Sequence, residues 1–174
     1  IYTAMVVGGV SGEASNVNSF AGVEVSIGDG KDATDTKLTL KTNTYGGIIS
    51  TVGGLFGTIV GTAEIKDITF RSGITLNSGA EQTGNNEVNT DSLIAVGGII
   101  GFAQGEKLTI ADVEYSGELT LTLKEYKSYI GGIVGYITTS KEASLKRAKF
   151  SGTINETTHA VHYVGGLVGC VDNS

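Results

Sequence analysis

Two groups of titratable side chains contain residue types that can bind metal ions. His159 and His162 are the two histidines of the chain, and no His-Glu-x-x-His pattern accompanies them. Residues i and i+3 of a strand point to opposite faces, so this pair is poorly placed to share one metal ion. Asp29, Asp32 and Asp35 form an acidic cluster without the spacing of an EF-hand calcium loop. We expect no metal site: the histidines take surface or stacking positions, and the aspartates lie on a solvated loop, with a weak Ca²⁺ site as the alternative.

A pair of carboxylates offers a second possibility, acid–base catalysis. Asp67 and Asp112 occupy equivalent positions of adjacent repeats, and the third equivalent position is Arg147. Glycoside hydrolases use two carboxylates, and some polysaccharide-active enzymes are parallel solenoids. A column of acid, acid and base on an outer surface is better suited to reducing charge repulsion than to acid catalysis. We therefore predict that the chain is not an enzyme and has no catalytic residue.

Composition and charge exclude several classes of partner. The Gly-Gly-Ile-Val-Gly segment at 131–135 lacks the Lys-Ser/Thr ending of a phosphate-binding loop, so no cofactor is expected. The net charge of −6 argues against nucleic acid. No apolar run reaches the roughly 18–20 residues that cross a bilayer. Cys170 is the only cysteine, and we expect a small buried hydrophobe there, with an intermolecular disulfide as the alternative.

The length and the glycine content indicate one packed domain. The chain has 174 residues, of which 40% are hydrophobic, 27 are glycine and none is proline. Collagen is excluded because the glycines have no three-residue period, and the hydrophobic fraction supports a core. We predict a single domain over 1–174. Because the chain begins with Ile1 and no signal segment opens it, we expect a processed protein or a segment of a longer repeat protein.

A glycine motif recurs five times, at 6–12, 51–57, 95–101, 129–135 and 163–169. Each copy reads Gly-Gly-aliphatic-x-Gly after two mostly apolar residues, and the second glycines are 45, 44, 34 and 34 residues apart. Glycine permits tight corners and close approach of neighbouring chains. The glycines that we single out at the second and third positions are Gly9, Gly54, Gly57, Gly98, Gly101, Gly132, Gly135, Gly166 and Gly169.

A second motif, an aromatic residue followed by glycine, comes after each of the first four copies, at 20–22, 70–73, 115–117 and 150–152. The copy at 70–73 is one residue longer than the copy at 115–117, which predicts a β-bulge. Apolar and polar residues alternate after the third copy, as in a strand with one buried face.

Repeats of this kind predict an all-β parallel β-solenoid of about five coils, with a right-handed winding. One repeat cannot close a core alone, whereas stacking places like residues on like. The first expected column is Val7, Val52, Val96, Ile130 and Val164, and the second is Val10, Leu55, Ile99, Ile133 and Leu167. The two longer spacings predict polar insertions at 28–36 and 77–90 that leave one side of the stack.

Aromatic residues flank the glycine motif at matching positions. Tyr129 and Tyr163 stand just before the Gly-Gly step, and Phe102 and Tyr136 stand just after the motif. Two interpretations stay open. The rings stack along the solenoid, or they form an exposed platform that binds carbohydrate or a partner chain.

The repeats resemble the GLUG motif, named for its Gly-Leu-any-Gly core. Residues 166–169 read Gly-Leu-Val-Gly, and the copies at 54–57, 98–101 and 132–135 differ conservatively, while 9–12 is the weakest copy. The resemblance covers nearly the whole chain. It implies large secreted or surface proteins, namely adhesins and the non-catalytic regions of immunoglobulin A-cleaving metallopeptidases.

The predicted function is a non-enzymatic extracellular or cell-surface module, a stalk or adhesin segment. Its expected partners are other protein chains or a host-surface ligand. One alternative is a self-assembling subunit of an extracellular fibre that associates end to end, because open solenoid ends carry unpaired strands. The other is a fragment of a polysaccharide-active β-helix enzyme.

Overall fold

The computed structural model describes residues 6–8, 11–15, 20–25, 37–41, 49–77, 93–123, 127–157 and 161–172. Regular structure in these residues is all β-strand, as predicted. In chain order the strands are β1 (Val6–Gly8), β2 (Ser11–Ser15), β3 (Phe20–Val25), β4 (Lys37–Lys41), β5 (Ile49–Gly53), β6 (Phe56–Phe70), β7 (Gly73–Asn77), β8 (Leu93–Gly97), β9 (Ile100–Tyr115), β10 (Glu118–Thr122), β11 (Lys127–Gly131), β12 (Val134–Phe150), β13 (Thr153–Thr157), β14 (Val161–Gly165) and β15 (Val168–Asp172). Across these ranges there is no helix with the length and apolar character of a membrane span.

The strands stack in parallel into three sheets. Their orders are β1-β5-β8-β11-β14, then β2-β6-β9-β12-β15 with β3 also paired to β6, and β4-β7-β10-β13. The chain visits the three sheets in turn, so coil 1 is β1–β4, coil 2 is β5–β7, coil 3 is β8–β10, coil 4 is β11–β13 and coil 5 is β14–β15. The predicted parallel β-solenoid is confirmed. The right-handed winding and the single domain stay predictions.

The first aliphatic column forms as predicted. Val7 pairs with Val52, Val52 with Val96, Val96 with Ile130, and Ile130 with Val164. The three central members are fully buried. Burying an aliphatic side chain contributes about 1.5–3 kcal/mol, so the three buried members of the column stabilise the stack.

The second column forms over four of its five positions. The backbone N–H of Leu55 donates to Ile99 O at 3.0 Å, Ile99 to Ile133 O at 3.0 Å, and Ile133 to Leu167 O at 2.9 Å. The first three side chains are fully buried, whereas Leu167 is 39% exposed. Leu167 is more exposed because no described strand lies beyond coil 5. Val10 lies outside the described residues.

Coils 2, 3 and 4 each contain one long strand, which the sequence patterns do not predict. β6, β9 and β12 have 15, 16 and 17 residues. These strands turn a corner without losing their pairing, because one residue adopts a left-handed conformation. Asp67, Asp112 and Arg147 occupy this corner with φ of 54°, 55° and 50°. An isolated left-handed residue redirects the chain, so the long strand wraps around the core.

The predicted bulge in the copy at 70–73 is wrong. Phe70 pairs with Tyr115 and Ile74 pairs with Leu119. Both pairs are separated by 45 residues, so no extra residue lies between them. The serine two positions after the phenylalanine takes the place of the motif glycine, and the glycine that follows it belongs to the next strand.

The register shifts occur at another corner of the long strand. One lies between Val60 and Thr62 in the pairing of β6 with β9. The other lies between Thr139 and Glu142 in the pairing of β12 with β9. Gly61 and Gly105 stand at this corner with φ of 89° and 152°. Here glycine adopts the positive φ at little cost, so the corner accommodates coils of different length.

The register also locates the two insertions, which themselves lie outside the described residues. The separation between coils 1 and 2 falls from 45 at β3–β6 to 36 at β4–β7, so nine extra residues enter between β3 and β4. The separation falls from 45 at β7–β10 to 34 at β8–β11, so eleven enter between β7 and β8. The first insertion precedes β4 and the second follows β7, and these two strands belong to the same sheet. The prediction that both insertions leave one side of the stack concerns residues outside the described ranges.

In coils 2, 3 and 4 the second glycine of the motif lies under an aromatic ring of its own coil. A Cβ at that glycine would approach ring carbons closer than 3.0 Å. The pairs are Gly54 with Phe70, Gly98 with Tyr115, and Gly132 with Phe150. The two sequence motifs are therefore complementary halves of one packing unit. Gly166 has nothing within 4 Å of its Cβ position, and Gly9 lies outside the described residues.

The third glycine of the motif allows two backbones to approach. A Cβ on Gly101 would lie 2.6 Å from Gly57 O and 2.7 Å from Val52 N. A Cβ on Gly135 or Gly169 would meet the corresponding atoms of the preceding coils. Each long strand can therefore pack directly against the first short strand of the coil before it.

The rings above the glycines form a buried column. Phe70 and Tyr115 have ring centroids 5.6 Å apart, and Tyr115 and Phe150 5.8 Å apart. The rings are tilted by 18° and 16°, an offset-stacked arrangement that is favourable for aromatic pairs. The Tyr115 hydroxyl donates to Ser72 O at 3.1 Å, which satisfies its one buried polar atom.

Candidate binding surface

The four aromatic side chains that flank the glycine motifs come together in one continuous row. Phe102 and Tyr136 stack with centroids 5.1 Å apart. Tyr136 contacts Tyr129 at 4.7 Å, and Tyr129 contacts Tyr163 at 5.2 Å. We call these four residues the aromatic row. It runs from coil 3 to coil 5 and therefore spans three stacked layers.

Strand register positions the row. Tyr129 and Tyr163 pair directly across β11 and β14, and Phe102 and Tyr136 pair across β9 and β12. Tyr129 and Tyr136 stand on the two strands that flank the Gly-Gly turn of coil 4, so the turn brings the two pairs together. Parallel in-register strands keep side chains at a fixed spacing, so the row needs no contribution from a loop.

The same positions carry smaller residues in the earlier coils. Thr51 and Thr58 take these places in coil 2, and their hydroxyls are hydrogen-bonded at 2.8 Å in a buried site. Ala95 takes the place beside Phe102 in coil 3. The aromatic character is thus confined to coils 3–5, while the backbone frame is shared by every coil.

Exposure increases along the row. Phe102 is 6% exposed, Tyr129 and Tyr136 are half-buried, and Tyr163 is 46% exposed. The rings lie against one another, so the inner members contribute ring edges and hydroxyl groups to the surface. Tyr163 offers the largest free aromatic area. Both interpretations of these residues are therefore compatible with the structure. The inner rings stack on one another, and the ring at the end of the row is exposed.

An acidic residue lies beside the row. The Tyr136 hydroxyl donates to Asp172 Oδ2 at 3.3 Å. Burial, and then the Asp172 charge, raises the pKa of Tyr136 to about 12. Burial likewise raises the pKa of Tyr129, with Cys170, Tyr163 and Asp172 adding to the shift. Both hydroxyls are therefore neutral hydrogen-bond donors at physiological pH.

Sequence reasoning missed Asp172 and misjudged Cys170. Cys170 pairs with Tyr136 in the strand register and is half-buried, a free thiol whose pKa burial raises. The small buried hydrophobe expected at Cys170 is therefore only partly buried. Asp172 is two residues further on and pairs with Thr138. The register of the last motif copy could have placed both residues, because it extends the column of Phe102 and Tyr136 by one coil.

The three residues considered for acid–base chemistry do stack at one exposed corner. Arg147 donates from Nη2 to Asp112 Oδ2 at 2.5 Å and from Nε to the other carboxylate oxygen. These hydrogen bonds and the Arg147 charge lower the pKa of Asp112. Asp67 occupies the equivalent position in coil 2. A carboxylate held ionised by a bidentate arginine is the opposite of a general acid, which needs a raised pKa.

The histidines and the acidic cluster show no metal geometry in the described residues. His162 Nε2 lies 3.7 Å from Glu156 Oε1. His159 and the aspartates at 29, 32 and 35 lie outside the described residues. Within the ranges that the structure covers, no three His, Cys, Asp or Glu side chains gather to hold an ion.

Comparison with known proteins finds that part of the chain is similar to a region of Immunoglobulin A1 proteases. The chain is 36% identical over 92 residues to an Immunoglobulin A1 protease of Streptococcus pneumoniae, which covers 49% of the chain and 5% of that protein. It is 35% identical over 92 residues to the protein of that name from strain R6, covering 49% and 4%. It is 30% identical over 128 residues to the protein from the serotype 4 strain TIGR4, covering 68% and 6%.

The chain thus spans about a twentieth of the length of these relatives. No protein-family profile matches it, and no solved structure matches it. What the chain shares with the relatives is similarity to one short region.

Proposed function

We propose that the chain is a non-enzymatic structural and adhesive module of an extracellular surface protein. The observation that carries the proposal is the aromatic row, a continuous set of rings on consecutive layers of a regular stack. A solenoid presents its surface residues at fixed intervals, so a row of rings forms an extended contact surface. Similarity to a short region of Immunoglobulin A1 proteases supports a setting within a larger protein.

The extracellular setting rests on two supports. The proteins that share the region are proteases named for an immunoglobulin, which is an extracellular substrate. The repeats also resemble the GLUG motif, and we propose that they are of this type. The repeat glycines then serve packing: they create the space for the ring column and for the close backbone approach.

The chemistry of the row suggests how a ligand is held. Tyr163 supplies a partly exposed ring, and the hydroxyl of Tyr136 donates to the Asp172 carboxylate. Aromatic rings pack against the apolar faces of a ligand. The tyrosine hydroxyls and the carboxylate provide hydrogen-bond donors and acceptors around the rings. Carbohydrates and extended peptides both combine apolar faces with hydroxyl or amide groups. A host-surface ligand of either kind fits the row.

The absence of catalysis is part of the proposal. Asp112, the best candidate for an acid, is committed to Arg147 on an exposed corner. The relatives carry the name of a protease, and we propose that the proteolytic activity belongs to other parts of those much longer chains.

A binding assay that also detects cleavage of the ligand tests the proposal. The purified chain is screened against immobilised host glycans, polysaccharides and immunoglobulin A1, and each bound ligand is analysed for cleavage. We expect binding that Tyr163→Ala weakens about tenfold, the effect of losing one interface contact of about 1.4 kcal/mol. Tyr163→Phe should retain most of the binding if the ring face is the contact. Thr120→Ala, on the outer face of the β10 sheet, is the matched control and should bind normally.

Two results would overturn the proposal. One is release of cleavage products that Asp112→Asn abolishes, since this makes the corner catalytic. The other is ligand binding that neither Tyr163→Ala nor Tyr129→Ala affects, since this leaves the aromatic row without a role.

A further inference from the structure

Three consecutive coils carry a charged residue at the same corner. Asp67, Asp112 and Arg147 all have a left-handed backbone, with φ of 54°, 55° and 50°. The residues on either side of them pair directly across β6, β9 and β12. The three residues therefore lie in one column, and adjacent members are one strand spacing of about 4.7–4.9 Å apart. We call these three residues the charged column.

The conformation of the corner favours aspartate, whereas stacking opposes it. A left-handed backbone is uncommon outside glycine, and aspartate and asparagine adopt it more readily than most other residues. Asp67 and Asp112 satisfy this preference. Two carboxylates at directly opposed positions of adjacent strands nevertheless repel each other, which shifts the pairing equilibrium by about 1.4- to 5-fold. A third aspartate on coil 4 would add to that repulsion.

Arg147 occupies the third corner and offsets the repulsion. Its Nη2 donates to Asp112 Oδ2 at 2.5 Å, and its Nε donates to the other carboxylate oxygen. These hydrogen bonds and the Asp112 charge raise the pKa of Arg147, loss of hydration opposes the shift, and the charge of Asp67 adds to it. Arg147 thus interacts with both carboxylates, although no strand of coil 4 pairs with a strand of coil 2.

A neighbouring column of the same strands lacks this arrangement. Lys149 pairs with Glu114 at 2.8 Å, and Glu114 lies opposite Thr69 of coil 2. The base is again on coil 4 and the acid on coil 3, but coil 2 contributes no like charge at this position. Removing the lysine therefore affects the contact between coils 3 and 4, whereas removing Arg147 also leaves two stacked carboxylates without compensation.

We propose that Arg147 couples coils that are not neighbours, so that docking of coil 4 holds coils 2 and 3 together. When coil 4 is in place, its arginine compensates the stacked aspartates. When coil 4 opens, the repulsion between Asp67 and Asp112 weakens the pairing of β6 with β9 at the corner. The charged column is a conformational device that makes opening cooperative over three coils, in addition to the nearest-neighbour coupling of a repeat protein.

The size of the coupling follows from the spacing. The two carboxylates are one strand spacing apart, and Arg147 is two spacings from Asp67, or about 9–10 Å. Unit charges at these separations on a hydrated surface change an equilibrium by about 2- to 4-fold. The coupling should disappear at about 1 M salt, where the Debye length is about 3 Å.

Amide hydrogen exchange of the full chain tests the coupling. Arg147→Asn is the informative variant, because asparagine suits the left-handed corner and a purely conformational effect would be favourable. We expect this variant to speed exchange of the β6 amides at 66–69 and the β9 amides at 111–114 by about 2- to 4-fold. Lys149→Gln is the matched control and should leave the β6 amides at the parent rate.

Two aspartate variants separate the causes. Asp112→Asn breaks the same ion pair from its other partner but also removes the repulsion, so the β6 amides should keep at least the protection of the parent. Asp67→Asn should restore the parent rate in the Arg147→Asn background. In the parent it should change the rate little, because the lost repulsion from Asp112 and the lost attraction to Arg147 offset each other. At about 1 M salt, Arg147→Asn and the parent should exchange alike at 66–69.

The proposal is wrong if Arg147→Asn leaves the β6 amides at the parent rate, if Lys149→Gln disturbs them equally, or if Asp67→Asn does not rescue them. If Arg147→Asn does not fold, the double variant D67N/R147N decides. A folded double variant supports the coupling, and an unfolded one overturns it. The charged column and the aromatic row involve different residues, so the two proposals are tested separately.

Discussion

Replacing Gly132 by alanine should open the stack between coils 4 and 5. A Cβ at this position would lie closer than 3.0 Å to the Phe150 ring and to Gly166 O. The carbonyl is backbone and cannot rotate away, so the added methyl group must push the ring or the coil. The ring cannot move without disturbing its stack on Tyr115, 5.8 Å away.

The magnitude follows from these contacts. Overpacking a core by one methyl group costs about 1–3 kcal/mol, and loss of an aromatic pair costs about 0.5–1.5 kcal/mol. Replacing glycine by alanine lowers the entropy of the unfolded chain, which offsets about 0.4–1 kcal/mol. The net destabilisation is about 2–3 kcal/mol. For a chain of this length it corresponds to a fall in Tm of about 5–10 °C.

Gly166→Ala is the matched control, because Gly166 holds the same motif position and has nothing within 4 Å of its Cβ. It should leave Tm unchanged or raise it slightly. Both variants are compared with the parent by thermal unfolding, followed by circular dichroism and calorimetry. If Gly132→Ala melts within 2 °C of Gly166→Ala, a limit far below the roughly 5–10 °C expected, the ring-over-glycine packing is not the reason for the motif.

Four further outcomes are expected. Tyr115→Phe removes the buried hydrogen bond to Ser72 O and should lower the free energy of unfolding by about 1 kcal/mol in urea titrations; an unchanged midpoint means that the bond contributes nothing. Ser128→Ala should raise it by about 1 kcal/mol, because the Ser128 hydroxyl is buried without a hydrogen-bond partner, and a lower midpoint would contradict this. Folding raises the pKa of Tyr136 from 10.0 to about 12, so its contribution to stability is present below pH 10 and is lost as pH rises towards 12. Asp172→Asn should lower this pKa, which ultraviolet titration can measure against Tyr136→Phe; a pKa that does not fall would show that Asp172 does not act on the hydroxyl.

The stacking could be predicted because equal positions carry similar residues. Val52, Val96 and Ile130 each precede a Gly-Gly step, and parallel strands pair such positions directly. The aromatic row follows from the same rule, since Tyr129 and Tyr163 share one position. What the repeat period cannot show is that two such columns meet across the Gly-Gly turn, because that contact depends on how the turn folds.

The corners could not be predicted from residue type. Asp67 and Asp112 tolerate a left-handed conformation better than most residues, but Arg147 gives no such signal. Its conformation is imposed by the coil on which it stacks. The predicted bulge is wrong for a related reason. Aligning the copies at 70–73 and 115–117 on their glycines suggests an extra residue, but the aromatic residues set the register, and Phe70 pairs with Tyr115.

The strand order has a mechanical consequence. Each described coil is hydrogen-bonded only to its immediate neighbours, so a pull that lifts β15 from β12 breaks a few bonds at a time and then moves to the next layer. Successive coils are separated by 34 to 45 residues, so each release would lengthen the chain by roughly 11–16 nm at about 3.4 Å per residue. Under tension at a surface, such a stack would extend in steps, and the coils that had not yet opened would keep the aromatic row of their own layers in place.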